Sequence, residues 1–408
     1  PAFIPTIKRR EIKVKKPLIS VILPIYNVEN YIEECLDSLV NQTIGHEKLE
    51  VLMVNDCSTD NTAKIIDEYA ARFPHFKAIH LPENTGAPGK PRNVGIEQAT
   101  GKYLIFLDPD DYIPLDAYES LYQVAHENNS DFVMGKMISF DEEDGREYEH
   151  VTFKNYLLQK QYYNVTIKDA PFFLQVKTAV YLKLVKTSFI KNHGISFIEG
   201  MKNGEDKYYD MQLFTKAKKF SYIPKVIYMY RARNDEKNLS LTQRDIVSTV
   251  ENDVKAAKLV KPLLNDESYA YFQINALRSL LWKICDPDFN RLEWETRLYL
   301  IHLVTDVVKD YDKRLVEKYL ALEEPFLSLI NKGYVQEALE YNKMLASRRW
   351  WYKQGRELQI EYRKHSKIRK SFSWKITKFL RNRNIRLKQL IKRRYINEGK
   401  RSHTFAGK

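Results

Sequence analysis

KYLIFLDPDD, residues Lys102–Asp111, is a short apolar, strand-forming run that empties into three carboxylates, Asp108, Asp110 and Asp111. Upstream of it stand three runs of the same kind. LISVILPI (Leu18–Ile25) precedes the helical stretch ENYIEECLDSLV, LEVLMVND (Leu49–Asp56) precedes TAKIIDEYAARF, and FKAIHL (Phe76–Leu81) precedes a Gly/Pro loop and RNVGIEQAT. Downstream, a helical pattern near Leu115–Asn129 leads into a fifth run, DFVMGKMISF. Strands that are apolar at nearly every position have no solvent face. Alternated with amphipathic helices, they predict an α/β fold whose mostly parallel sheet is covered by helices on both faces. Ligands of such sheets sit beyond the carboxyl ends of the strands, where Asp56 and Asp108–Asp111 fall.

Three stretches carry chemistry. Three like charges at one strand end are costly unless cations or hydrogen-bond donors offset them. Oxygen-only ligands suit Mg²⁺ or Mn²⁺, ions that bridge one or two carboxylates to phosphates; a turn followed by a helix cap is the competing reading. In VNDCSTDNT, Ser58 and Asp60 are accounted for as caps of the next helix, whereas Asp56 is not. In ENTGAPGKPRNVG a Gly/Pro turn accounts for the ring-shaped and small residues but not for Lys90 and Arg92. Paired cations entering a helix N-terminus suit a phosphate cradle.

Taken in order, SVILPIYN, VNDCSTDNT, ENTGAPGKPRN and FLDPDD resemble glycosyltransferase family 2, sugar-nucleotide enzymes of the GT-A (Rossmann-like) fold. The GAPGKPRN loop, with GEDKYYD later, looks closest to the wall teichoic acid β-N-acetylglucosaminyltransferases of Gram-positive bacteria. The resemblance covers residues 17–242. It implies that Pro24 and Tyr26 line the nucleobase site, that Asp56 hydrogen-bonds the uracil, and that Asn84 and Arg92 hold the nucleotide and sugar. It implies a DxD pair, Asp108 and Asp110, with Asp110 the direct ligand of Mn²⁺ or Mg²⁺. Asp206 becomes the general base with Glu205 beside it, and Arg233 and Ser240 close over the pyrophosphate. Related enzymes carry a His in that late loop; the nearest residues here are Lys237 and Asn238, so the loop aligns only to within about a residue. The implied reaction is inverting transfer from a UDP-sugar, with GlcNAc the first choice of sugar, to a hydroxyl of a polyol-phosphate polymer. Base assistance of this kind is worth roughly 10²–10⁴ in rate. Without the family pattern, Glu205 and Asp206 read equally as acids favoured at a helix N-terminus.

The 408 residues exceed one ordinary core, and 44% hydrophobic with 29% charged residues excludes disorder, collagen and coiled coil as the main state. From about Tyr148 to Thr242 the alternation turns irregular: helical pieces at Val180–Asn192 and Glu205–Lys219 mix with the aromatic strand FSYIPKVIYMYR. This stretch reads as the acceptor-side half of the same domain. After Thr242 helical periodicity takes over. The expected organisation is a basic segment at 1–16, the catalytic domain at 17–242, an all-α region at 243–347 and a basic amphipathic tail at 348–408. The start at Pro1 rather than Met suits a processed chain or a piece of a longer one. Cys35, Cys57 and Cys285 show no CxxC pairing, which argues against a disulfide framework or zinc site and for a cytoplasmic setting. Tyr222, Tyr228 and Tyr230 alternate as core strand residues do.

The net charge of +13 conceals an uneven distribution. Residues 348–408 hold 21 Lys and Arg against 3 Asp and Glu, and residues 1–17 hold 6 against 1, leaving 18–347 at −10. Ile376, Phe379, Leu380, Leu387, Leu390 and Ile391 share one helical face of the tail, with Trp350, Trp351 and Trp374 as interfacial anchors. The expectation is peripheral attachment to an anionic membrane's inner face, at about 1 kcal/mol per basic residue near it. Docking of the polyanionic cell-wall acceptor, nucleic-acid binding, packing onto the chain's own domain and a linker to a further domain compete; the acidic body disfavours nucleic acid. Extra helical regions often mediate assembly, which leaves a homo-oligomer open. A family 2 transferase acting on a capsular or lipid-linked glycan is the alternative enzyme.

Overall fold

The computed structural model describes residues 16–143, 145–233 and 245–370. Its sheet has nine strands among these residues, in the order β3-β2-β1-β4-β8-β5-β9-β7, with β6 paired to β5. The strands are β1 (Ile19–Ile25), β2 (Leu49–Asn55), β3 (Phe76–His80), β4 (Tyr103–Phe106), β5 (Phe132–Asp141), β6 (Glu147–Glu149), β7 (Tyr162–Val165), β8 (Lys183–Lys186) and β9 (Phe220–Ala232). β1, β2, β3 and β4 pair in parallel, as their apolar runs predict. The helices between them are α1 (Ile32–Val40), α2 (Thr62–Arg72), α3 (Gly89–Gln98) and α4 (Ala117–Asn128). α1 buries Ile32, Cys35, Leu36 and Leu39, one stripe at helical spacing.

The other half of the sheet is mixed. β8 runs antiparallel between β4 and β5, β9 pairs with β5 in parallel, and β7 returns antiparallel on β9. The helix expected over Val180–Asn192 is instead a short 3-10 turn (Val180–Leu182), the strand β8 and then α5 (Thr187–His193). Four residues of KLVK hold too little alternation to be read locally, and pairing on both sides makes them a strand. Pro224 sits inside β9 where the register against β5 slips between Met134 and Lys136. A residue without an N–H is tolerated at such an irregularity.

α6 (Glu205–Lys216) precedes β9, and helices follow it: α7 (Ile246–Val260), α8 (Asp266–Ile284), α9 (Trp294–Val308), α10 (Lys313–Tyr319), α11 (Glu324–Asn331) and α12 (Val335–Lys370). One hydrophobic core runs from Ile19 to Leu345. The chain divides into compact units at 345/346, and the sheet and the helices α7 to α11 belong to the first of them. The second unit is helical from 346 to 370. Among the described residues no helix is long and apolar enough to cross a membrane. The tail residues Ile376, Phe379, Leu380, Leu387, Leu390, Ile391 and Trp374 lie outside the described residues.

Candidate active site

Parallel register brings the ends of β1, β2 and β4 to one edge of the sheet. Ile25 pairs with Asn55, Ile22 with Phe106, and the next residues continue the ladder: Asp56 N donates to Ile25 O at 2.8 Å and Leu107 N to Ile22 O at 3.0 Å. Asp56 is buried at this edge. Its Oδ1 accepts from Thr85 N and its Oδ2 from Thr85 Oγ1, both at 2.9 Å, while Asn84 Nδ2 donates to Asp56 O at 2.8 Å. Asp56 and Asn84 therefore meet, and the loop before α3 is tied to the end of β2. Pro24 is half-buried in β1, and Tyr26 stands exposed just beyond it. Asp60, expected to cap α2, does accept from Thr62 N at 3.0 Å.

Arg92 is the joint of the site. It rises from the first turn of α3 and is 5% exposed. One guanidinium nitrogen donates to Asp108 Oδ1 at 2.9 Å, the other to Glu205 Oε1 at 2.7 Å. Burial opposes the Arg92 charge, but Asp108 and Glu205 outweigh it and hold the guanidinium above its ordinary range. Burial pushes the Glu205 carboxyl up to about 7 despite Arg92, with Asp206 adding like-charge repulsion. Gly89 permits α3 to approach: a Cβ there would stand 2.6 Å from Ile198 O.

Beyond Asp108 the three carboxylates part ways. Asp111 is fully engaged in the fold, its Oδ1 accepting from Arg231 N at 2.7 Å and its Oδ2 from Tyr228 Oη at 2.6 Å. Burial, then the charges of Asp110 and Asp108, drive its carboxyl well above the carboxylate range. Asp110 instead pairs with Arg233 at 2.5 Å. Burial raises its pKa as well, Arg233 opposing and Asp108 adding. Arg231 spans the loop, donating from Nε to Asp110 O at 2.8 Å and pairing with Glu34. Ser240, Lys237 and Asn238 lie outside the described residues.

Glu205 and Asp206 open α6 behind Gly204, whose φ of +83° suits a residue without Cβ. Asp206 is half-buried. Its electrostatic neighbours include Lys177, which also feels Asp111 and Asp108 and whose Nζ lies 4.5 Å from the Tyr230 ring centre. Burial lowers the Lys177 pKa, and those three carboxylates oppose the shift. Tyr181 stacks on Tyr228 at 3.9 Å. Tyr222 and Tyr228 are core residues as expected, while Tyr230 is half-buried, its hydroxyl pKa raised by burial and then by the charges of Asp111, Asp110 and Asp108. Lys177 escaped the sequence reading because no periodicity or motif marks it; only β9 and α6 bring it to Asp206.

Among the described residues no group of three His, Cys, Asp or Glu side chains stands in metal-binding geometry. The donor set nonetheless suits a hard divalent ion shared with phosphates. Asp108 gives Oδ1 to Arg92 and Asp110 gives Oδ2 to Arg233, whereas Asp111 has both oxygens occupied by Arg231 N and Tyr228 Oη.

Residues 20–185 match the family model described as glycosyl transferase family 2. The poly(ribitol-phosphate) beta-glucosyltransferase of Bacillus spizizenii is 32% identical over 287 residues, covering 68% of this chain and 43% of that protein. The chain thus spans less than half the length of that relative. Glycosyltransferase GlyG of Streptococcus pneumoniae is 30% identical over 221 residues, 53% of this chain and 71% of that protein. Among solved structures, residues 1–349 of Staphylococcus aureus TarS in complex with UDP-GlcNAc align with a TM-score of 0.64 at 25% identity, covering 83% of this chain and 92% of that one. The strand-end carboxylates, the loop tied to Asp56 and the shared fold lead to one assignment: the chain belongs to glycosyl transferase family 2.

Proposed function

We propose that the chain is an inverting, metal-dependent glycosyltransferase that moves a sugar, GlcNAc in the first instance, from its UDP donor to a hydroxyl of a polyol-phosphate cell-wall polymer. The observation that carries this reading is the Arg92 fork, which ties Asp108 at the end of β4 to Glu205 at the start of α6. It sets the donor-side carboxylates against Asp206. The likeness to the TarS complex with UDP-GlcNAc supports the donor class, and the name of the Bacillus relative supports the polymer class.

In this mechanism Pro24, Tyr26 and Asp56 line the uracil site, and Asn84 and Arg92 hold the nucleotide and sugar side. Asp206 takes the proton of the acceptor hydroxyl as its oxygen attacks the anomeric carbon from the face opposite UDP. Glu205 stays on Arg92 and fixes the turn that carries Asp206. Arg233 faces the diphosphate; Ser240, given the same role by the resemblance, lies outside the described residues. Asp110, with Asp108, would hold Mn²⁺ or Mg²⁺, which when bound offsets the charge of the departing diphosphate.

A donor panel tests the reading: UDP release from UDP-GlcNAc and UDP-glucose, each with and without poly(ribitol phosphate), with and without EDTA. Polymer-stimulated, EDTA-sensitive release from one donor is expected. Unchanged release in EDTA would remove the metal, and release indifferent to the polymer would remove the acceptor.

Residues 348–408 we assign to the inner face of an anionic membrane. Trp350 and Trp351 are 41% and 66% exposed, in a helix rich in Lys and Arg. Truncation after Ser347 is expected to abolish co-sedimentation with anionic liposomes; unchanged co-sedimentation ends that assignment.

A further inference from the structure

The turn that carries Asp206 is gripped from behind by helices outside the stretch that matches the family model. Asn203, just before Gly204, is buried and donates from Nδ2 to Thr249 O at 3.1 Å and to Asp253 Oδ1 at 3.2 Å, both on α7. Its Oδ1 accepts from Asn252 Nδ2 at 3.1 Å. Lys207, immediately after Asp206, donates to Asp253 Oδ1 at 2.7 Å and to Ser279 Oγ of α8 at 3.3 Å. Ser279 Oγ in turn donates to Asp253 Oδ2 at 2.5 Å. A Cβ on Gly204 would stand 3.2 Å from the Ala256 Cβ and 3.4 Å from Asn252 O and Asp253 Oδ1, so α7 lies flat against the turn.

The chemistry of this cluster is unusual for a helix–helix contact. Asp253 is 3% exposed on the buried, mainly apolar face of α7, with Val250, Val254 and Ala257 and the buried Thr249 one turn before it. A buried ion pair is weak evidence for stability, because desolvation of both ions offsets much of their attraction. What it supplies is direction. Three donors, from Asn203, Lys207 and Ser279, converge on one carboxylate, and two of them flank Glu205–Asp206 in the chain. Burial opposes the Lys207 charge, but Asp253, Asp206 and Glu205 outweigh it and keep the ammonium charged. From the opposite side Arg92 holds Glu205. The base turn is thus fixed on two sides, by α3 through Glu205 and by α7 and α8 through its neighbours.

We propose that Asp253 is a positioning residue for the base: through Asn203 and Lys207 it sets where the Asp206 carboxylate meets the acceptor hydroxyl. The helices after residue 245 then belong to the catalytic apparatus. The proposal rests on Asp206 being the base. A carboxylate displaced by about 1 Å loses on the order of 10² in rate, whereas the uracil contacts, Pro24, Tyr26 and Asp56, stand at the ends of β1 and β2 and stay in place.

The test uses the full chain with UDP-GlcNAc and poly(ribitol phosphate) as probes. Asp253→Ala is expected to lower kcat about 10²-fold, with KM for UDP-GlcNAc and the affinity for UDP within about twofold. Because that variant leaves Lys207 buried and unpaired, a second variant, Lys207→Met with Asp253→Leu, removes both charges and recovers stability. Under the proposal its melting temperature returns and its kcat does not; Asp253→Glu restores part of kcat. Recovery of kcat together with stability in the double variant would show a merely structural pair and overturn the proposal, as would an Asp253→Ala enzyme of wild-type kcat. Asp206→Asn is run alongside. If it stays active, the base assignment has failed; if it is inactive while every Asp253 variant turns over normally, only the positioning role has.

Discussion

The two sides of the site are built by opposite means. The donor side comes from strand ends, where each residue sits within a short motif of its own: Asp56 after β2, Asn84 in the next loop, Asp108 and Asp110 after β4. Parallel register does the assembly, because neighbouring parallel strands end at one edge. The base side has no such frame. Asp206 starts a helix, and its surroundings arrive from Lys177 before β8, Tyr230 in β9 and Asp253 in α7. Among the described residues, Arg92 is the one side chain bonded to both.

The sharpest break is Asp206→Asn, which removes the base while keeping the size of its side chain. It is expected to lower kcat by about 10²–10⁴ while UDP affinity, measured by calorimetry, stays at the wild-type value. Loss of UDP binding instead would merge the two sides into one. Arg92→Met attacks the joint. It leaves Asp108 and Glu205 without their shared cation, and breaking a buried pair costs about 3–5 kcal/mol. Denaturant unfolding should show that loss, and both kcat and UDP affinity should fall together. Arg92→Lys is expected to recover little, because one ammonium does not reproduce a fork aimed at two carboxylates.

The same division explains what could be read from the sequence. The parallel half of the sheet was legible because each strand is an apolar run and each end carries its own polar punctuation. LISVILPI and LEVLMVND became β1 and β2 with every ladder pair intact. β8 was not legible, because four residues acquire strand character only from the two neighbours that flank them. Glu205 and Asp206 could be named through the family resemblance, but neither Lys177 nor Asp253 could. Asp253 did leave a signal, a lone carboxylate on the apolar stripe of a helical segment, where charged residues seldom lie unpaired. The basic partner, 46 residues earlier in the chain, is what sequence spacing does not disclose.

Lys177 sharpens the comparison next. Its ammonium lies over the Tyr230 ring, where the charges of Asp206, Asp111 and Asp108 act on it. Lys177→Met is expected to lower kcat by about 10²-fold, the scale of removing one positioned group from a water-poor site. UDP affinity should hold within about twofold. A collapse of UDP affinity with kcat spared would move Lys177 to the donor side and leave the base side with fewer remote parts than the geometry assigns.

The smallest effect concerns pH, through a residue that backs Lys177. His150 accepts from or donates to Thr152 Oγ1 at 2.8 Å, and Thr152 Oγ1 accepts from Lys177 N at 3.4 Å. Burial, with Lys177 and Arg278 adding like charge, lowers the His150 pKa to about 3. In the unfolded chain the imidazole titrates near 6.5. The folded state therefore favours the neutral ring: its contribution is whole above about pH 6.5 and drains away as pH falls toward 3, since only the unfolded chain gains the proton there. Melting curves of the wild type and His150→Gln should keep a constant separation from pH 8 to pH 7. The wild type should then lose ground steadily as the pH falls from 6.5 to 4. Parallel curves over that range would mean the ring charges freely in the fold, and the basic cluster behind the base would be open to water rather than enclosed.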